Sequence, residues 1–148
     1  MEEQFSVMMI DPPWMQNKGG RRTVRPFQGR VFNYRTMDTE SIFSLLDEKI
    51  FSIASSLHVA FIWTIEAYLI ACENMMLARN YRRHCRLIWN KQNGVAPAFT
   101  VRFCHEYLVW YYKPKLLPIS RSVRGQFSTV INEPARQHSR KPHAAYSM

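Results

Sequence analysis

Short apolar runs alternate along the chain with amphipathic segments. The first run, residues 5–10, ends just before Pro12 and Pro13, which predicts a buried strand that stops at the prolines. Further strands are predicted at 57–64, 86–90, 106–112 and 130–131. Because these runs alternate with helical patterns, the chain is predicted to form an α/β fold, a mostly parallel sheet with helices on both faces.

Capping signals and apolar spacing predict the helices. The first helix begins after Thr36 or Asp38, since either side chain can act as its N-cap. Its apolar positions are Ile42, Leu45, Leu46 and Ile50. The second helix, at 66–80, is predicted to bury the face formed by Ala67, Ile70, Ala71, Met75 and Ala78. Pro142 suits the first turn of a further helix.

A long basic segment interrupts this alternation at about residues 15–35. It contains glycine and has no apolar period, so it is predicted to be a loop. Its charged residues are all cations: Lys18, Arg21, Arg22, Arg25, Arg30 and Arg35. A loop of this length within a compact domain is usually functional. No linker is evident elsewhere, so residues 1–148 are predicted to form a single domain that carries this basic loop.

Composition and charge narrow the class of partner. The formal net charge of +9 favours a polyanion such as nucleic acid. No apolar run is long enough to span a bilayer and the first residues are acidic, so we expect a cytoplasmic protein without membrane contact. The cysteines Cys72, Cys85 and Cys104 are widely spaced, which predicts free thiols and no metal site.

A second basic group lies between the predicted second helix and third strand. It consists of Arg79, Arg82, Arg83, Arg86 and Lys91. This group could follow a phosphate backbone or simply form a solvated surface, and the sequence favours neither reading.

The tetrapeptide Asp11-Pro12-Pro13-Trp14 is the candidate catalytic site. It follows the first buried strand, and α/β folds bind ligands at the carboxyl ends of their strands. The prolines fix the backbone, and their neighbouring carbonyls are expected to stay free to accept hydrogen bonds. A carboxylate and a carbonyl together suit an exocyclic amine, and Trp14 offers a face on which a base could stack. The simpler alternative is that the Asp-Pro-Pro sequence only ends the strand and has no catalytic role.

Amine chemistry makes such an acceptor pair useful. The lone pair of the adenine N6 atom is delocalised into the ring, so this nitrogen is a poor nucleophile. Two acceptors that hold its hydrogens would favour a pyramidal nitrogen with its lone pair facing a methyl donor. Positioning and charge placement would then supply much of the catalysis.

Beyond these four residues, five segments in order resemble a known family. They read Asn33-Tyr-Arg-Thr-Met37, Phe61-Ile-Trp-Thr64, Leu87-Ile-Trp-Asn-Lys91, His105-Glu-Tyr-Leu108 and His138-Ser-Arg-Lys-Pro142. With the DPPW tetrapeptide they resemble the adenine-N6 methyltransferases that include the catalytic subunit of the mRNA adenosine methyltransferase and its bacterial and phage DNA relatives. The resemblance implies a Rossmann-like fold that uses S-adenosylmethionine (SAM).

The resemblance also implies a role for each matching residue. Asp11 and Pro12 would hold the target amine, with Pro13 and Trp14 completing the catalytic tetrapeptide. The cofactor would contact Met9, Ile10, Asp11 and, through its carboxylate, Lys141. Tyr34 would lie close to the target pocket. Apart from the resemblance, Glu106 and the basic-loop residues Arg21, Arg22 and Arg25 are predicted from their own chemistry to contact the substrate. Glu106 is further expected to bridge to arginines or to order the substrate loop.

The family pattern continues past the HSxKP segment, with a strand that lies next to the DPPW strand. The present sequence is therefore expected to be C-terminally truncated, with an exposed sheet edge and cofactor pocket. The predicted function is methyl transfer from SAM to adenine N6 in nucleic acid, DNA rather than RNA. The alternatives are a catalytically inactive nucleic-acid-binding relative, an accessory subunit of a homo- or heterodimer, or a methyltransferase for another amine.

Overall fold

The computed structural model describes residues 4–16, 34–92, 101, 103–113, 115, 120–136 and 140–148. The elements in these residues are β1 (Phe5–Ile10), α1 (Thr39–Lys49), β2 (Ala54–Thr64), α2 (Leu69–Ala78), β3 (Arg82–Asn90), β4 (His105–Tyr112) and β5 (Val130–Asn132). Short 3₁₀ turns lie at Phe51–Ile53, Glu66–Tyr68, Arg121–Val123 and His143–Tyr146. The predictions for Arg21, Arg22 and Arg25, and for most of the basic loop, lie outside the described residues.

The strands form one mixed sheet with the order β1-β2-β4-β3-β5. β1 pairs parallel with β2, and β3 pairs parallel with β5. β4 lies antiparallel to both of its neighbours. The α/β class is confirmed. The sheet was expected to be mostly parallel and is mixed, because β4 runs against the other described strands and both of its pairings are antiparallel. An apolar run shows that a strand is buried and carries no information about its direction, which explains why the reversal could not be predicted.

The two faces of the sheet are covered differently. Alternate residues of each strand point to opposite faces, and both α-helices pack on the face that carries Met8, Ile62 and Val109. The opposite face carries Trp63, Leu87, Trp89 and Leu108 and packs against Ile131 and Ala145. Helices on both faces were expected. In the described part of the chain, the second face receives a 3₁₀ turn after Pro142 in place of the predicted helix.

The helix starts were predicted better than the helix faces. Asp38 caps α1, since its carboxylate accepts from the Ser41 N–H at 2.9 Å. Of the apolar positions in α1, Leu45 is 42 % exposed, whereas Phe43, which the spacing did not single out, is buried. In α2 the buried residues are Leu69, Cys72 and Met76, while Ile70 is 63 % exposed. An almost wholly apolar helix such as α2 has no polar face to mark its orientation.

β1 is an edge strand within the described residues. Its only paired neighbour there is β2, and Val7 is 58 % exposed. An apolar groove of about 570 Å³ runs between β1 and α1. No helix among the described residues is long and apolar enough to cross a bilayer.

Candidate active site

Three strands bring the candidate site together at one end of the sheet. β1 ends just before Asp11, and β2 ends one residue after Trp63. β4 starts at this same end because it runs in the opposite direction, and this places Glu106 opposite Trp89. The reversal of β4 is therefore what brings a second carboxylate to Asp11.

The prolines hold the segment after β1 in a fixed shape. The Trp14 N–H donates to the Pro12 carbonyl at 2.8 Å, and the Met37 N–H donates to the Pro13 carbonyl at 2.9 Å. Both carbonyls were expected to be free, and both already accept one hydrogen bond. Each carbonyl oxygen has two lone pairs, so one remains available on Pro12.

Trp14 is part of the core as well as part of the site. It is 4 % exposed, and its indole N–H donates to the Trp63 carbonyl at 2.8 Å. Tyr68 stacks on it with ring centroids 5.2 Å apart, and the Tyr68 hydroxyl donates to the Met15 carbonyl. An open face for a base was expected, but Tyr68 covers one face of the ring. Sequence analysis missed Tyr68, which no local pattern distinguishes from a core aromatic.

A row of alternating charges crosses the site. The Lys141 Nζ lies 2.7 Å from Glu106 Oε2 and 3.2 Å from Asp11 Oδ1. The Nζ of Lys91 forms an ion pair with the other oxygen, Glu106 Oε1. Glu106 was expected to bridge to arginines, but its partners in the described residues are lysines. Lys141, expected to bind the cofactor carboxylate, here links two carboxylates.

This environment shifts the pKa values of the two carboxyl groups, Asp11 and Glu106, in opposite directions. Burial raises the pKa of Asp11 above 3.8; the Lys141 charge opposes the rise, and the negative Glu106 adds to it. Burial also pushes the pKa of Glu106 upward, but Lys141 and Lys91 outweigh burial and hold it below 4.5. For Lys141, burial lowers the pKa, and the two carboxylates more than reverse this. Glu106 and Lys141 therefore form a firmly charged pair, and Asp11 holds its charge less strongly.

Two tryptophans form the floor beneath the charge row. The Lys141 Nζ lies 5.1 Å from the ring centre of Trp63, and the Lys91 Nζ lies 5.4 Å from that of Trp89. The two rings meet edge to face at 6.0 Å. Cation–π attraction thus helps to hold both ammonium groups over the sheet face.

Glu133 holds the segment that carries Lys141. The Trp89 indole N–H donates to the Glu133 carbonyl at 2.6 Å. The Glu133 carboxylate in turn accepts from the backbone N–H groups of His143 and Ala144 at 3.1 and 3.3 Å. This double attachment fixes residues on both sides of Lys141, and sequence analysis did not identify it.

Two cavities share the Asp11-Pro12-Pro13 segment as a wall. The first, of about 260 Å³, is also lined by Trp14, Tyr34, Trp63, Glu106 and Lys141. The second is the apolar groove along β1, which Met9 and Ile10 also line. Tyr34, predicted to lie close to the target pocket, is among the residues that line the first cavity. The predicted cofactor residues are divided, because Lys141 lines the first cavity and Met9 and Ile10 line the second.

The second basic group is largely paired with acids. Arg79 donates from Nε and Nη2 to Asp47 at 2.8 and 2.7 Å. Arg86 donates in the same way to Glu73 at 2.7 and 2.8 Å, and Arg83 donates to Glu73 at 3.0 Å. These contacts join α1, α2 and β3, so a fold-stabilising role replaces the phosphate-tracking reading for these three arginines.

Cysteine and metal chemistry contribute nothing evident to the site. Cys72, Cys85 and Cys104 are free thiols, as expected, and burial raises the pKa of Cys72 to about 12. Within the described ranges, no group of three or more histidine, cysteine, aspartate or glutamate side chains could hold a metal ion.

Comparison with known proteins gives one match. A family model described as MT-A70 matches residues 5–148, which is nearly the whole chain and includes every residue of the charge row. No curated protein matches the chain.

Proposed function

The chain belongs to the MT-A70 family of adenine-N6 methyltransferases, and on this premise we propose that it methylates the N6 amine of adenine in nucleic acid, with DNA as the preferred substrate. Members of this family use SAM as the methyl donor. The observation that carries the proposal is the Asp11-Pro12-Pro13 wall shared by two cavities. A donor on one side and an acceptor on the other would meet at this wall.

The acceptor chemistry follows from two oxygen atoms. The Asp11 carboxylate and the second lone pair of the Pro12 carbonyl can each accept one N6 hydrogen of an adenine in the first cavity. Holding both hydrogens turns the nitrogen lone pair out of conjugation with the ring. The rigid proline backbone provides this geometry before the substrate arrives, which is the main source of catalysis in such a site.

The described residues fit SAM where the two cavities meet: the segment 11–13 lies where the methyl-bearing end would approach from the second cavity, beside Met9 and Ile10. Lys141, expected to bind the amino-acid carboxylate of SAM, lines the first cavity with the proposed adenine site, so it is not proposed as a contact of SAM in the second cavity. SAM supplies an electrophilic methyl group on a positively charged sulfur. The methylated amine carries that positive charge and is strongly acidic, so Asp11 can accept its excess proton without having been a strong base. Asp11 is 44 % exposed, which lets the proton pass to water.

Nucleic acid would enter as a single base. An adenine that is stacked and paired within a duplex cannot enter a pocket, so the target would be single-stranded or flipped out of its duplex into the first cavity, which has a volume of about 260 Å³. The net charge of +9 supports binding to the phosphate backbone. Arg21, Arg22 and Arg25 are proposed, from their charge, to contact the phosphate backbone.

The test is transfer of label from tritiated SAM to DNA and RNA oligonucleotides. We expect N6-methyladenine as the product, and we expect Asp11→Asn to lower kcat/KM by at least about 100-fold because it removes the charged acceptor. Asp47→Asn is the matched control, since it makes the same chemical change away from the site. Label on cytosine or on protein, or an equally active Asp11→Asn variant, would overturn the proposal.

A second candidate is an accessory, non-catalytic relative. The apolar groove favours it, because Asp11 and Lys49 are its only charged lining residues among those that the structure describes, and these offer few partners for the ribose of SAM. Calorimetric titration of SAM into the chain separates the two candidates. Micromolar binding supports the enzyme, whereas nucleic-acid binding without SAM binding supports the accessory protein.

A further inference from the structure

Lys91 contacts the charge row from outside the first cavity. It follows the last residue of β3, and its side chain is 25 % exposed. Its backbone is held on both sides: its N–H donates to the Cys104 carbonyl at 2.8 Å, and its carbonyl accepts from the Ala135 N–H at 3.2 Å. The Lys91 ammonium therefore reaches Glu106 from a backbone that is held in place on both sides.

Two carboxylates compete for one lysine in this site. The Lys141 Nζ lies 0.5 Å closer to Glu106 than to Asp11, at 2.7 and 3.2 Å. Glu106 is also the more enclosed carboxylate, with 14 % of its side chain exposed against 44 % for Asp11. Without a second cation on Glu106, its full negative charge would draw Lys141 away from Asp11.

We propose that Lys91 is a positioning residue of this site: by occupying one oxygen of Glu106, it leaves Lys141 shared with Asp11 and keeps Asp11 able to accept the target amine. The role of Asp11 rests on the proposed function, but the arrangement of charges does not. Lys141 and Glu106 are the charged groups that act on Asp11, and Lys91 and Lys141 are the cations that contact Glu106.

Aspartate labelling can test this directly. The chain contains three aspartates, Asp11, Asp38 and Asp47, so ¹³C labelling of the aspartate carboxyl groups yields three signals, and Asp11→Asn identifies the one from the site. In Lys91→Met we expect the pKa of Asp11 to rise by about half a unit to one unit, a roughly three- to tenfold weaker acid. The titrations of Asp38 and Asp47 should be the same in Lys91→Met as in the wild type.

Matched variants separate positioning from simple loss of charge. Lys91→Arg keeps the cation and should restore the titration of Asp11. Lys115→Met removes an exposed lysine and should leave it unchanged. In a Glu106→Gln background, Lys91→Met should have almost no effect, because the proposed influence passes through Glu106. If Lys91→Met does not fold, Lys91→Gln takes its place in each comparison.

Three outcomes would overturn the proposal. One is an unchanged Asp11 titration in Lys91→Met, another is failure of Lys91→Arg to restore it, and the third is an undiminished shift in the Glu106→Gln background. In an active enzyme, Lys91→Met should reduce kcat about two- to fivefold at a pH equal to the wild-type pKa of Asp11 and have little effect at pH 8. If no variant transfers methyl groups, the proposed function fails, while the carboxyl titration still decides the role of Lys91.

Discussion

The molecule contains two clusters of cations and carboxylates, and they are built differently. The arginine cluster joins Arg79 to Asp47, and Arg83 and Arg86 to Glu73. The charge row at the end of the sheet uses lysines alone as its cations. Both clusters pair positive with negative groups, and three members of the charge row, Asp11, Glu106 and Lys141, line the first cavity.

The difference lies in how fully each carboxylate is used. Arg79 and Arg86 each place two N–H groups on one carboxylate, a planar match that leaves its partner well satisfied. In the charge row, Asp11 has a single contact at 3.2 Å and faces the cavity. A lysine is a compact point charge, so it neutralises Asp11 without occupying all its acceptor sites. Unused acceptor capacity, more than the presence of charge, distinguishes the charge row from the arginine cluster.

The largest effect is expected from removing Lys141, the lysine shared by Asp11 and Glu106. We expect Lys141→Met to lower kcat/KM about 10- to 100-fold. Because the Lys141 charge lowers the pKa of Asp11, its loss should raise that pKa and move the acid limb of the pH–rate profile to higher pH. The profile should be measured beside Lys115→Met, a charge-matched control. An unmoved acid limb would show that Lys141 does not act on Asp11.

In the arginine cluster, the same type of experiment should change stability and leave activity alone. Glu73→Gln takes the carboxylate from two arginines, and we expect a loss of about 1–2 kcal/mol in the free energy of unfolding in urea. Hydrogen bonds from Arg86 are the main cause of the lowered pKa of Glu73. The stabilisation is therefore complete above pH 4.5, the ordinary value, and is lost as the pH falls through the lowered pKa.

The pH dependence provides the control for Glu73→Gln. The stability difference between the wild type and this variant should shrink progressively below pH 4.5, where Glu73 becomes protonated in both folded and unfolded states. A constant difference across this range would indicate a packing effect instead of an ionic one. If Glu73→Gln is fully folded but no longer transfers methyl groups, Glu73 belongs to the catalytic machinery. The two clusters would then not differ in function.

The strands were predictable because a buried strand appears in the sequence as a short run of apolar residues. β1 was predicted with its observed ends, and the DPPW tetrapeptide was correctly placed after it. The direction of β4 and the buried face of α2 were not predictable, since both depend on which surfaces meet in the folded chain. Position within the sheet is a tertiary property, and short apolar runs do not encode it.

The candidate site divides in the same way. Asp11, Tyr34, Glu106 and Lys141 were identified from motifs, and all four line one cavity. Lys91 appeared only as a member of a basic group, because its pairing with Glu106 depends on the antiparallel contact of β3 with β4. Sequence motifs therefore located the residues that face the cavity, while the residue that supports them emerged only from the fold.

The smallest expected effect concerns stability: Asp11→Asn tests whether Asp11, unlike Glu73, contributes little to the free energy of unfolding. Burial raises the pKa of Asp11, so above this pKa the folded protein holds a charge that it disfavours relative to the unfolded chain. Replacing Asp11 by a neutral isostere removes this cost, and the free energy of unfolding at pH 7 should stay within about 0.5 kcal/mol of the wild-type value or rise slightly. The difference should vanish below pH 3.8, where Asp11 is neutral in both states. A loss of more than about 1 kcal/mol in urea unfolding at pH 7 would make Asp11 a stabilising member of its cluster, like Glu73. Stability retained in a variant without activity would instead show that the fold bears the cost of this carboxylate for the sake of its chemistry.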